Sequence, residues 1–175
     1  WKHQLSHCRV EHRAVAFDFR GHGMWEPRPE SRYTAEALVN DIVAVVDSLD
    51  FEKFILVGHS MGGSAAIAYA DVHPDRVVGL VLAGTPGKTP TEISSGVIMS
   101  VRSENYQRVM DEYMKKLVMD ARPEVANKIN EGVRKLSKET SISIIQAMFE
   151  FDPTDKLKRY SGRKLIVQTS NEQAQ

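Results

Sequence analysis

Apolar residues follow two rhythms along the chain. Ala14 to Phe19 (AVAFDF), Phe54 to Val57 (FILV), Val77 to Ala83 (VVGLVLA) and Lys164 to Gln168 (KLIVQ) are short, mostly apolar runs. Runs of that length without polar alternation predict strands buried on both faces. Between the first two runs, Leu38, Ile42, Val45, Val46 and Leu49 recur at the 3.6-residue period, with Glu36, Asp41 and Asp47 on other faces. That pattern predicts a helix over Thr34 to Leu49, with the Thr34 hydroxyl as its N-cap. Ser60 to Ala70 is rich in small residues and predicts a second helix, ending before His73-Pro74. Strands alternating with helices predict the α/β class: a mainly parallel sheet with helices on both faces.

The rhythm changes after the third strand. Gly84 to Gly96 is dense in Gly, Thr, Ser and Pro. Beyond it, Tyr106, Val109, Met110, Tyr113, Met114, Leu117 and Val118 form one helical stripe. Val125, Ile129, Val133 and Leu136 form a second, and Ile142, Ile145 and Phe149 a third. Three parts are therefore expected: residues 1–90 as an α/β core, 91–152 as a helical insertion or cap, and 153–175 as a return to the core. Met24 to Tyr33, with two prolines and several charges, reads as a surface loop.

Composition narrows the function classes. Lys plus Arg and Asp plus Glu both number 23, so the net charge is zero. A protein that binds nucleic acid through bulk charge needs a basic surplus. No apolar run approaches the ~20 residues of a membrane span. The single cysteine, Cys8, excludes an intrachain disulfide and fits a reducing, cytoplasmic setting. His3, His7, Cys8 and His12 lie close in sequence, but Gln4 stands where a zinc protease has Glu, so the cluster reads as a surface helix. No metal and no cofactor are expected.

The chemistry-bearing motif is Gly58-His59-Ser60-Met61-Gly62, a G-x-S-x-G between the FILV strand and the small-residue helix. A nucleophile elbow needs that context: the serine occupies a strained turn that raises its hydroxyl above the sheet, beside a helix N-terminus that favours developing negative charge. A side chain at Gly58 or at Gly62 is expected to clash with the turn. Gly63, Ala65 and Ala66 are expected to let the helix lie close to the strand. A phosphate loop fails because Ser64 stands where Lys is needed, and a dinucleotide fingerprint fails because Ser60 holds the second glycine position.

Three segments carry a resemblance: VAFDFRGHG (Val15 to Gly23), ILVGHSMGG (Ile55 to Gly63) and HPDRVVGLVLAGTPG (His73 to Gly87). Together they resemble the α/β-hydrolase fold, in its subgroup of small esterases, lactonases and cofactor-free haloperoxidase-like enzymes. The resemblance implies Ser60 as nucleophile, the Met61 N–H as one oxyanion donor, and a triad completed by an acid and a histidine later in the chain. Glu172 stands at the matching acid position. Branches that open epoxides or displace halide carry Asp where this chain has Ser60. The implied reaction is therefore acyl transfer on a small-molecule ester or lactone.

The base is missing from that picture. The six histidines lie at positions 3, 7, 12, 22, 59 and 73, and none follows residue 73. His59 is expected to point away from the hydroxyl, His22 to brace its loop with Asp18 and Arg20, and His73 to be structural. The chain thus reads as an excerpt of a longer enzyme, with the base and second oxyanion donor outside it, and as inactive alone. A carbon–carbon bond hydrolase or perhydrolase on the same triad remains open, as does a non-catalytic ligand-binding member of the fold. The five methionines from Met99 to Met148 read as helix–helix core sooner than as the lining of an acyl pocket, and Trp25 stands open between the site mouth and an exposed loop position; oligomeric state is left undetermined.

Overall fold

The computed structural model describes residues 1–24 and 33–168. Its elements run α1 (Lys2–Cys8), α2 (Ala35–Ser48), β1 (Phe54–His59), α3 (Met61–Val72), β2 (Val77–Ala83), α4 (Thr91–Arg102), α5 (Tyr106–Leu117), α6 (Pro123–Arg134), α7 (Lys138–Glu150), α8 (Thr154–Arg159) and β3 (Arg163–Val167). The three strands form a parallel sheet in the order β1-β2-β3. The α/β class and the parallel sheet are as the apolar runs predict. Thr34 caps α2 as expected, its hydroxyl accepting from the Ala37 N–H at 3.2 Å.

The core lies on one side of the sheet. Leu38, Val39, Ile42 and Val46 of α2 pack with Ala65 to Ala70 of α3 and with Val77, Leu80 and Leu82 of β2. Alanines at that spacing bring α3 close to the sheet. Polar anchors then fix α8 and the sheet end. Arg159 grips Asp71 with two bonds of 2.8 Å, and the buried Tyr160 hydroxyl donates to the Val77 carbonyl at 2.8 Å. Burial pushes the Tyr160 phenol up from its ordinary value, so it remains a donor. Tyr160→Phe leaves that carbonyl unpaired and is expected to cost about 1–2 kcal/mol, read as a lower urea midpoint at unchanged slope.

Two expectations are corrected. Ala14 to Phe19 is not a strand: no described strand lies beside it to complete a ladder. It is anchored by side chains instead, with Phe17 and Phe19 edge to face at 5.0 Å and packed against the core. The second covered face is likewise absent among the described residues. Ile55 and Val57 of β1 share a face with Leu165 and Val167 of β3 by register, and all four are exposed. Two elements escaped the periodicity reading: α4, whose first half lies in the Gly/Ser/Thr-rich stretch, and α8, too short to show a stripe.

Four helices, α4 to α7, fill the span between β2 and α8. Val101, Met110, Met114 and Ile144 form their buried apolar set. In α7 the most buried residues are Thr140, Ser141 and Ile144, so that face is more polar than the expected Ile142, Ile145 and Phe149 stripe. Lys88 and Asp152, which flank the helical span, pair at 2.9 Å. The Asp152 carboxylate also accepts from Thr154, and these bonds, with Lys88, hold it well below the ordinary carboxylate range. A carboxylate depressed in the folded state stabilises above its unfolded pKa and loses that contribution as the pH falls through its folded pKa. Acidification below about pH 4 is thus expected to loosen this neck, and Asp152→Asn to flatten the acid response of amide exchange at 154–156.

Candidate active site

Ser60 sits where β1 ends and α3 begins, with φ 50° and ψ −123°. L-residues rarely adopt a positive φ, so the backbone there is strained. The strain is held from both sides. The Ser60 N–H donates to the Ala83 carbonyl at 3.1 Å, and the Ser60 carbonyl accepts from the Gly63 N–H at 2.8 Å. Ser60 occupies the N-cap position, yet its hydroxyl makes no capping bond. The Met61 and Gly62 N–H groups have no acceptor among the described hydrogen bonds, as first-turn donors do. A hydroxyl uncommitted to the helix thus stands beside two open donors at the positive end of α3.

The glycines divide differently from expectation. A Cβ at Gly58 would overlap the Gly62 carbonyl and Gly63 Cα. A Cβ at Gly62 would meet only the Phe19 ring, at an ordinary 3.6 Å, so Gly62 is not sterically required. The second tight position is Gly63, where a Cβ would overlap the Thr85 side chain. The close helix–strand approach expected of Gly63 is therefore present. The sequence does not point to Thr85, which meets Gly63 only through the fold.

Neighbouring segments brace the elbow. Arg20 binds Asp41 of α2 through Nη2 at 2.6 Å and Nε at 3.0 Å, while its N–H reaches the same carboxylate at 3.1 Å. This pair raises the Arg20 pKa. His22 donates from Nδ1 to the Arg20 carbonyl at 3.0 Å. The expected bracing of His22 therefore runs to the Arg20 backbone, and Asp18 packs instead where a Gly23 Cβ would stand. Helical periodicity places Asp41 on the polar side of α2 without naming a partner, since Arg20 stands 21 residues earlier and leaves no periodic signal.

The remaining candidates are dispersed. His59 is exposed, and its side chain takes part in none of the described hydrogen bonds. His73 packs on Tyr69 with centroids 4.7 Å apart, at the far end of α3, about 20 Å from Ser60 at 1.5 Å per residue. No described hydrogen bond joins a histidine to Ser60. Glu172 and Trp25 lie outside the described residues. Of the five later methionines, Met110 and Met114 are buried, Met148 lines a crevice beside Met61, and Met99 and Met119 are exposed. No group of three or more potential metal ligands occurs among the described residues. No described helix is long and apolar enough to cross a membrane.

A strand–elbow–helix of this geometry on a parallel sheet defines a class, and the chain belongs to the α/β-hydrolase fold family, whose profile matches residues 1–141. It is 36% identical over 87 residues to Epoxide hydrolase 4 of Mus musculus, covering 49% of this chain and 24% of that one. It is 40% identical over 83 residues to a serine hydrolase-like protein of Danio rerio, covering 47% and 26%. Among solved structures, a thermophilic esterase from Thermogutta terrifontis superposes with a TM-score of 0.79 at 27% identity, over 96% of this chain and 65% of that one. The matches thus span about a quarter of these curated relatives and about two thirds of the solved esterase.

Proposed function

We propose that the chain is the elbow-bearing part of a serine hydrolase acting on a small carboxylic ester or lactone. The observation that carries this reading is Ser60 held at φ 50° with its hydroxyl uncommitted, beside the open Met61 N–H. The Ser60 oxygen attacks the carbonyl carbon and its proton passes to a base. The Met61 N–H stabilises the oxyanion; collapse expels the alcohol and water then releases the acyl group. The names of the two relatives point in different directions, and Ser60 favours the serine hydrolase over epoxide opening.

The acid and base complete the reading. Because β3 runs parallel to β1, the chain after Val167 leaves the sheet at the same end as Ser60, where open α/β sheets bind ligands. That favours Glu172, five residues on, as the acid. The base is a histidine outside the 175 residues, and α4 to α7 act as the cap over residues 91–152. The small-molecule substrate, the cytoplasmic setting and the absence of nucleic-acid and membrane partners belong to the same proposal.

Fluorophosphonate labelling of the full-length protein tests it. Labelling that disappears in Ser60→Ala supports the serine hydrolase, whereas an unlabelled but folded wild type rejects it. The 175-residue chain alone is expected to show no Ser60-dependent turnover of p-nitrophenyl acetate. Turnover by that chain would move the base to His22, His59 or His73.

A further inference from the structure

The end of β2 holds the elbow at two points. The Ala83 carbonyl accepts from the Ser60 N–H at 3.1 Å. Two residues on, the Thr85 side chain lies against Gly63, where a Cβ would overlap its Oγ1, Cγ2 and Cβ. Gly63 in turn donates its N–H to the Ser60 carbonyl at 2.8 Å, and its Cα crowds Gly58 of β1. The first turn of α3 is therefore fixed at Ser60 by hydrogen bonds and at Gly63 by contact. Thr85 is itself tied to the sheet, since Gly84, at φ 50°, donates its N–H to the Val167 carbonyl of β3 at 2.9 Å.

The Met61 and Gly62 N–H groups lie between those two fixed residues. Neither has an acceptor among the described hydrogen bonds, so no bond of their own aims them. Their direction follows from where Ser60 and Gly63 sit. We propose that Thr85 is a positioning residue, whose side chain, wedged against Gly63, sets the aim of the Met61 N–H at the oxyanion. The proposal rests on Ser60 as the nucleophile. The contact is one of shape, since the Thr85 hydroxyl makes none of the described hydrogen bonds. A donor aimed at charge that develops only in the transition state acts on kcat more than on KM. A displacement of about 1 Å at such a group can cost on the order of 10²-fold in rate.

The test compares Thr85→Ala and Thr85→Val in the full-length protein, with p-nitrophenyl acetate as substrate. Thr85→Ala takes Oγ1 and Cγ2 away from Gly63 and is expected to lower kcat roughly tenfold or more, with KM changed by less than about twofold. Thr85→Val fills the same space and is expected to keep kcat near that of the wild type. Amide exchange at Gly63 and Ser64, whose N–H groups both donate to the Ser60 carbonyl, reads the clamp without turnover. It is expected to quicken in Thr85→Ala and to stay unchanged in Thr85→Val. Unchanged kcat or exchange in Thr85→Ala, a rise in KM alone, or a Thr85→Val variant as impaired as Thr85→Ala would each overturn the proposal. A wild type that fluorophosphonate leaves unlabelled rejects Ser60 as the nucleophile instead, and exchange then decides the clamp by itself.

Discussion

Ser60→Gly is expected to abolish ester hydrolysis and stabilise the fold at the same time. Removing the nucleophile of a serine hydrolase lowers kcat by on the order of 10⁵ or more. The same change relieves a backbone held at φ 50° and ψ −123°, a conformation that glycine adopts without steric strain. Such strain costs about 1–3 kcal/mol, of which glycine's larger unfolded-state entropy returns roughly 0.5–1 kcal/mol. The net gain is about 1 kcal/mol, measured as a higher urea midpoint beside lost turnover. Ser60→Ala keeps the strain and is expected to lose activity without the gain. Equal midpoints for the Gly and Ala variants would show that the elbow stores no strain.

The second large effect falls two residues earlier. A methyl at Gly58 meets the Gly62 carbonyl and Gly63 Cα, which are backbone and cannot swing aside. Gly58→Ala must therefore push α3 away from β1, at the interface where Ala65 and Ala66 are 1% exposed. Overpacking of this kind costs about 1–3 kcal/mol or more. It also shifts the Met61 N–H from its place beside the serine. The variant is expected to lose both stability and most fluorophosphonate labelling. Gly62→Ala, where only the Phe19 ring at 3.6 Å is near, is expected to cost far less stability. That contrast separates crowding from a general intolerance of side chains in the motif.

What could be read in advance was local. The FILV and VVGLVLA runs, the Thr34 cap and the G-x-S-x-G turn follow from spacing and residue type within a few positions, and each is present in the structure. What could not be read depends on partners distant in sequence. AVAFDF has the composition of a strand, but a strand exists only with a neighbour to bond, and composition does not supply one. The crowding expected at Gly62 is absent, and the partner that crowds Gly63, Thr85, lies some twenty residues on. The Arg20–Asp41 pair, which ties the loop before Gly21 to α2, joins two segments with no shared periodicity. The roles of the Met61 N–H, Glu172 and a later histidine were legible only through family resemblance, since neither Glu172 nor a base has a physical signature in the local pattern.

The uncovered sheet face carries a practical consequence. Ile55, Val57, Leu165 and Val167 present an apolar surface, and β1 and β3 form the two edges of the described sheet, each paired on one side only. Flat apolar surface beside open edges is a template for further strands. Expressed by itself, this segment is therefore a candidate for inclusion bodies, and its solubility reports whether that face has been supplied with a cover.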